Sequence, residues 1–212
     1  RPQFEIYKII QDKDYDGVPK IKELFYTPEN DKYILYEECV PGYTIDELFK
    51  KGTQFSKKFV IKMATALCNI LKPIHNDNLI HRDISPNNVM YSQIEDKFYL
   101  IDFGNSRLNK INTPKDTVFA GTPIFMAPEQ GGVGTQSDNR TDIYAIGMLM
   151  KFMLTKNTTD KKSKIRGRLG KIIKKCTQSE MASRYKNVDK LKFKLSMIKV
   201  DDFLFPFKIY LY

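Results

Sequence analysis

The chain of 212 residues holds only three cysteines and two histidines, too few and too scattered for the chemistry those residues usually announce. Cys39, Cys68 and Cys176 show no CxxC spacing and no neighbouring histidine. That excludes a structural zinc site and a disulfide framework, and the three read as buried thiols of a reducing cytoplasm. A membrane-spanning run is also missing, since the longest apolar stretch, Ile143 to Leu154, is interrupted by Lys151 and falls well short of the ~20 residues a bilayer requires. No signal peptide, internal repeat or low-complexity linker is visible. Negative charge is the minority, 25 Asp and Glu against 35 Lys and Arg, which leaves a net charge of +10. Much of the excess lies in KNTTDKKSKIRGRLGKIIKKC. Aromatic residues do not interleave that stretch, so it reads as a solvated basic face along helices, with no nucleic-acid partner expected. At 42% hydrophobic the chain can bury the core of one globular domain.

What is present is a pair of aspartates in a relation that phosphoryl transfer demands. Asp83 lies in HRDISPNN at positions 81–88, and Asp102 lies in IDFGNS at 101–106. A loop Asp can accept the proton of an attacking hydroxyl, an Asn five residues on can hold a divalent ion, and an Asp before Phe-Gly can hold the same metal cluster. Here these are Asp83, Asn88 and Asp102. Four fixed positions such as His81, Arg82, Asp83 and Asn88 arise by chance about once in 10⁵ windows. Ala127-Pro128-Glu129 follows downstream.

Periodicity supplies a coarse frame. Phe4 to Ile10 reads as a short helix and Tyr33 to Val40 as a buried strand stopped by Pro41-Gly42. Ser56 caps a helix to His75 whose apolar positions recur at helical spacing and which delivers the chain to the catalytic loop. Phe98 to Ile101 is a strand carrying Asp102 at its end. Asp142 to Leu154 is apolar on nearly all sides, as a buried helix must be, and Val188 to Ile198 forms a last amphipathic helix.

In the blocks HRDISPNNVMYS, FYLIDFGNSR, DTVFAGTPIFMAPEQ, RTDIYAIGMLMKFMLT and RYKNVDKL, in that order, the chain resembles the protein kinases, in particular the serine/threonine type of bacteria. The resemblance runs from about Phe4 to about Leu195. It implies an α+β fold in which residues 1–40 form part of a small β lobe, 41–198 a mostly helical large lobe, and 199–212 a tail. It implies ATP and magnesium as cofactors and the hydroxyl of a protein serine or threonine as acceptor. Any membrane attachment would come through segments outside the chain.

Roles follow residue by residue from that resemblance. Asp83 would orient and deprotonate the acceptor, with Asn88 and Asp102 binding the metal. Arg82 would meet a phosphorylated activation-segment residue, Thr113 or Thr117, while Thr122 would contact the catalytic Asp. Backbone groups of Glu38 and Val40 would bond adenine above a floor of Met90 and Ile101. Glu129 and Arg184 would pair to anchor the activation segment, Asp142 would tie the catalytic-loop backbone to the buried helix, and His81 and Phe103 would stack in a buried spine. Glu37 would gate the back pocket, where a carboxylate needs a partner or a raised pKa.

Two departures from the family pattern stand out. Ser85 occupies the position where a lysine commonly contacts the transferring phosphate. Glu5 fits the helix glutamate that pairs with a strand lysine, yet no lysine and no Gly-rich loop lies upstream of it. The chain is therefore expected to be the remainder of a longer kinase, inactive in isolation. A pseudokinase scaffold and a small-molecule kinase are the alternatives; the intact Asp83, Asn88 and Asp102 count against the first, and the GTPIFMAPE segment against the second.

Overall fold

The computed structural model describes residues 2–28, 32–109, 121–131, 136–155 and 165–198. Thr113, Thr117 and the tail 199–212 lie outside the described residues. Helix α1 (Pro2–Lys13) is followed by strands β1 (Ile21–Thr27) and β2 (Lys32–Glu37), an antiparallel pair with Phe25 opposite Ile34 and Thr27 opposite Lys32. Ile6 and Ile10 of α1 are buried, and its Phe4 ring packs 5.0 Å from that of Tyr33. The opposite face of the pair is open: Phe25, Ile34 and Tyr36 are 46%, 41% and 56% exposed.

β2 therefore stops at Glu37, short of Val40, and it is not a buried strand. With one strand beside it and one helix behind it among the described residues, its side chains alternate between α1 and solvent. Cys39, just past the strand end, is exposed, so the expectation of three buried thiols fails there; Cys68 and Cys176 are buried.

The larger part of the molecule is helical. Strand β3 (Tyr43–Thr44) leads into α2 (Ile45–Lys50), which starts on a capping box: Thr44 Oγ1 accepts from the Glu47 N–H, and the Glu47 carboxylate accepts from the Thr44 N–H. Helix α3 (Lys57–Asn76) opens where Ser56 Oγ accepts from the Phe59 N–H at 3.1 Å. Its buried side, from Phe59, Val60 and Met63 to Leu71 and Ile74, repeats every three to four residues, the period of one helix face. Helix α4 (Asn139–Thr155) is buried along Ile143, Ile146, Leu149 and Met150. Helices α5 (Gly167–Cys176) and α6 (Val188–Ser196) complete the lobe, α5 packing on α4 and α6 on α3. At Gly147 of α4 an added Cβ would stand 2.5 Å from Cys176 Cβ, so only glycine lets α5 approach this closely. Among the described residues no helix is long and apolar enough to cross a membrane.

Short strands carry the functional loops over this helical base. β5 (Val89–Ser92) pairs on one side with β3 and on the other with β6 (Lys97–Leu100), with Val89 opposite Leu100. β4 (Leu79–Ile80) pairs with β7 (Arg107–Leu108), with Ile80 opposite Arg107. These two pairings close the chain around both aspartate motifs.

Candidate active site

The loop 81–88 leaves β4 and returns as β5, and Asp102 follows β6. The β5–β6 ladder ends with the Ile101 N–H donating to the Asn88 carbonyl at 3.0 Å. That bond sets Asn88 one residue from Asp102 across the ribbon. Both Arg82 and Asp102 adopt left-handed backbone, with φ of 68° and 62°. For residues other than glycine this costs about 1–3 kcal/mol and persists only where the surroundings over-determine it.

The surroundings do so. Asp142, fully buried on α4, accepts from the Arg82 N–H at 2.8 Å through Oδ1 and from the His81 N–H at 3.0 Å through Oδ2. His75 Nε2, at the end of α3, lies 2.8 Å from the same Oδ2. Burial alone would raise the Asp142 pKa, but the hydrogen bonds from His75 and from the Arg82 N–H outweigh it and hold the group below its ordinary value. The Arg82 carbonyl is satisfied as well, by Gln130 Nε2 at 2.7 Å. Gly121 passes so close to that carbonyl that an added Cβ would lie 2.9 Å from it, and its φ of 124° suits glycine alone.

His81 is a packing residue. Its ring lies edge-on to Phe103 at 4.6 Å, Nε2 sits 3.1 Å from the Ile101 carbonyl, and Nδ1 accepts from the Asp83 N–H at 3.3 Å. A ring that donates through one nitrogen and accepts through the other is neutral, and burial pushes its pKa below the ordinary histidine value.

Asp83 is itself buried, and both its oxygens are held. Oδ1 accepts from the Thr122 N–H and hydroxyl, each at 2.8 Å, and Oδ2 accepts from Asn105 Nδ2 at 3.0 Å. Asn88 Nδ2 donates to the Asp83 carbonyl at 2.9 Å, which leaves the amide oxygen as the acceptor of that side chain. Asp102 is exposed and uses Oδ1 to accept from the Gly104 N–H at 3.0 Å. An amide oxygen and an exposed carboxylate this near in the ladder form the hard-oxygen donor set that magnesium prefers, so these residues fit that ion.

Glu129 and Arg184 meet as a buried, two-pronged pair, Nη1 to Oε1 at 2.6 Å and Nη2 to Oε2 at 2.7 Å. Arg184 also donates to the Gln178, Ser179 and Arg140 carbonyls, and the Thr141 hydroxyl donates to Glu129. The turn after Ala127 is thus fixed to the start of α4.

Just past β2, the Glu38 N–H donates to the Lys20 carbonyl at 2.9 Å, so of its backbone groups the carbonyl is the one left for a ligand, beside Val40. Met90 and Ile101 are half-buried. Glu37 is held above the ordinary carboxylate range by burial and by the charge of Asp102. Tyr7 of α1 lies against the Phe103 backbone, and burial, with the charges of Asp102 and Glu37, pushes its hydroxyl up to about 12. Glu5 is exposed and makes no ion pair among the described residues. Ser85 is fully buried and its hydroxyl has no partner among the described residues.

Asn105, Gln130, His75 and Tyr7 escaped the reading of the sequence. Asn105 directly follows Asp-Phe-Gly and Gln130 directly follows Ala-Pro-Glu, so adjacency to a motif was the available signal. His75 and Tyr7 carried none.

The profile of the family described as "Protein kinase domain" matches residues 5–201. The chain is 31% identical over 147 residues to serine/threonine-protein kinase C of Synechocystis, covering 66% of the chain and 27% of that protein. Serine/threonine-protein kinase B of the same organism is 27% identical over 212 residues, covering 89% and 36%. Serine/threonine-protein kinase PknA of Nostoc is 27% identical over 170 residues, covering 71% and 29%. The chain thus spans about a third of the length of these relatives. With the profile covering nearly all of it and the aspartate loops folded together, the chain belongs to the protein kinase domain family, among relatives that are serine/threonine kinases of bacteria.

Proposed function

We propose that this domain transfers the γ-phosphoryl group of ATP to a serine or threonine hydroxyl of a protein substrate. The observation that carries the reading is the Asp83 carboxylate, gripped on one oxygen by Thr122 and on the other by Asn105, in a loop whose Asn88 bonds the Asp83 carbonyl and lies one residue across the ladder from Asp102. A carboxylate held this way can orient an incoming hydroxyl and take its proton as the new O–P bond forms. Thr122 belongs to the segment anchored by Glu129 and Arg184, so the acceptor side of the site forms only when that segment is docked. Asn88 and Asp102 would hold magnesium, which when bound offsets charge on the phosphate oxygens. The Glu38 carbonyl and the Val40 N–H would bond the adenine edge, over Met90 and Ile101. Arg82 would meet a phosphate on Thr113 or Thr117. Free thiols and an ATP donor fit work in the cytoplasm.

The test is phosphotransfer by the whole protein to protein and small-molecule acceptors side by side. Asp83→Asn or Asp102→Asn should lower turnover by at least ~10²-fold with the melting curve unchanged, since proton-transfer and charge-stabilising groups contribute on that scale. Near-normal turnover in either variant removes the assignment. Transfer to small molecules alone would replace the protein acceptor.

A further inference from the structure

The positive charge of the chain is not spread over it. Between Ile165 and Ile198 ten Lys and Arg stand against two Asp and Glu, a net eight positive charges of the chain's ten. One of those acids, Asp189, is already paired with Lys72 of α3 at 3.0 Å. Helix α6 packs Val188, Leu191 and Leu195 inward. At 3.6 residues per turn the ridge opposite them is Phe193, Met197 and Lys190, with Lys194 on its flank. Phe193 and Met197 are 58% and 51% exposed. On α5 the buried Leu169, Ile172, Ile173 and Cys176 turn Lys171 and Lys174 outward. The two helices meet at this same ridge, because Arg168 of α5 donates to the Met197 carbonyl at 3.4 Å.

A convex ridge that presents two large apolar side chains, one turn apart and ringed by lysines, has nothing to gain from bulk water. We propose that this end of the large lobe docks on an anionic lipid surface, with the lysines of α5 and α6 against headgroup phosphates and Phe193 and Met197 entering the interface. The charge complementarity is direct. Two apolar tips on a convex face suit a yielding plane better than the grooves of a nucleic-acid duplex.

Co-sedimentation of the whole chain with phosphatidylcholine vesicles, with and without phosphatidylserine, tests this. Binding is expected only with phosphatidylserine and should weaken as salt is raised. Lys171→Glu, Lys190→Glu and Lys194→Glu together should lower partitioning by roughly a hundredfold, since each basic residue near such a surface contributes about a fivefold effect. Phe193→Ser with Met197→Ser should lower it roughly tenfold at a salt concentration that screens the charges. All five positions are exposed, and an unchanged melting curve will show that the fold is intact. Equal partitioning of the wild type and the charge-reversed protein overturns the proposal, as does no binding to either vesicle. Tighter binding to duplex DNA or RNA than to the vesicles at the same salt, indifferent to Phe193 and Met197, assigns the ridge to nucleic acid and overturns it too.

Discussion

Around Asp142, the end of α3 and the start of the loop 81–88 converge on one buried carboxylate, and both backbone groups of Arg82 are bonded from outside the loop. On the β1–β2 hairpin, four large hydrophobic residues, Phe25, Tyr26, Ile34 and Tyr36, are exposed, and Glu5 on the helix behind it has no ion-pair partner among the described residues. In the first, geometry is imposed by buried bonds that cannot be exchanged for water, whereas in the second position rests on one shared apolar face with α1. The loop 81–88 is therefore rigid by construction, and the hairpin is adjustable.

The strongest way to break this contrast is to strip a partner from the rigid side. Glu129→Ala strands the Arg184 guanidinium, whose side chain is wholly buried, and should cost about 3–5 kcal/mol in urea unfolding. A loss below about 1 kcal/mol would mean that the carbonyls around Arg184 suffice to hold it.

Asp142→Asn comes next, with an expected loss of about 1.5–3 kcal/mol, because an amide keeps the shape but not the charge that the bonds favour. It also sharpens the comparison through pH. His81 titrates below 6.5 in the fold and Asp142 below 3.8, so at falling pH the unfolded chain takes up protons that the folded chain refuses. Stability should decline as pH drops below 6.5 and again below 3.8. The variant should flatten the second limb, as read from urea midpoints across that range; an unaltered limb would assign the acid sensitivity elsewhere.

The smallest effect belongs to the hairpin. Phe25→Ser and Tyr36→Ser should each change stability by no more than about 0.5 kcal/mol, as exposed sites do. A loss of several times that would show that the open face is covered in solution, and the two regions would then differ less than their contacts suggest.

What the sequence disclosed followed from how local each signal was. The loop with Asp83 and Asn88 is eight contiguous residues, and Asp102 is fixed by the two that follow it, so spacing alone singled them out. Helix α3 was legible because Ser56 and the repeat from Phe59 to Ile74 lie in one window. The hairpin misled because YILYEECV has the composition of a buried strand, and composition does not say whether a second face exists to bury it; Cys39 was misjudged for the same reason. Asn105, Gln130 and His75 act by bonds across 22, 48 and 67 positions of the chain, and no local pattern encodes those.

The bond from the Arg82 N–H to Asp142 spans 60 residues. A ribosome adding about 5–20 residues per second needs roughly 3 to 12 s to make that stretch. Throughout that interval Arg82 has no reason to hold a left-handed backbone, and Asp83 has no fixed direction. A nascent chain that already contains every residue of the loop 81–88 therefore cannot fix the backbone of that loop until α4 has been synthesised and docked.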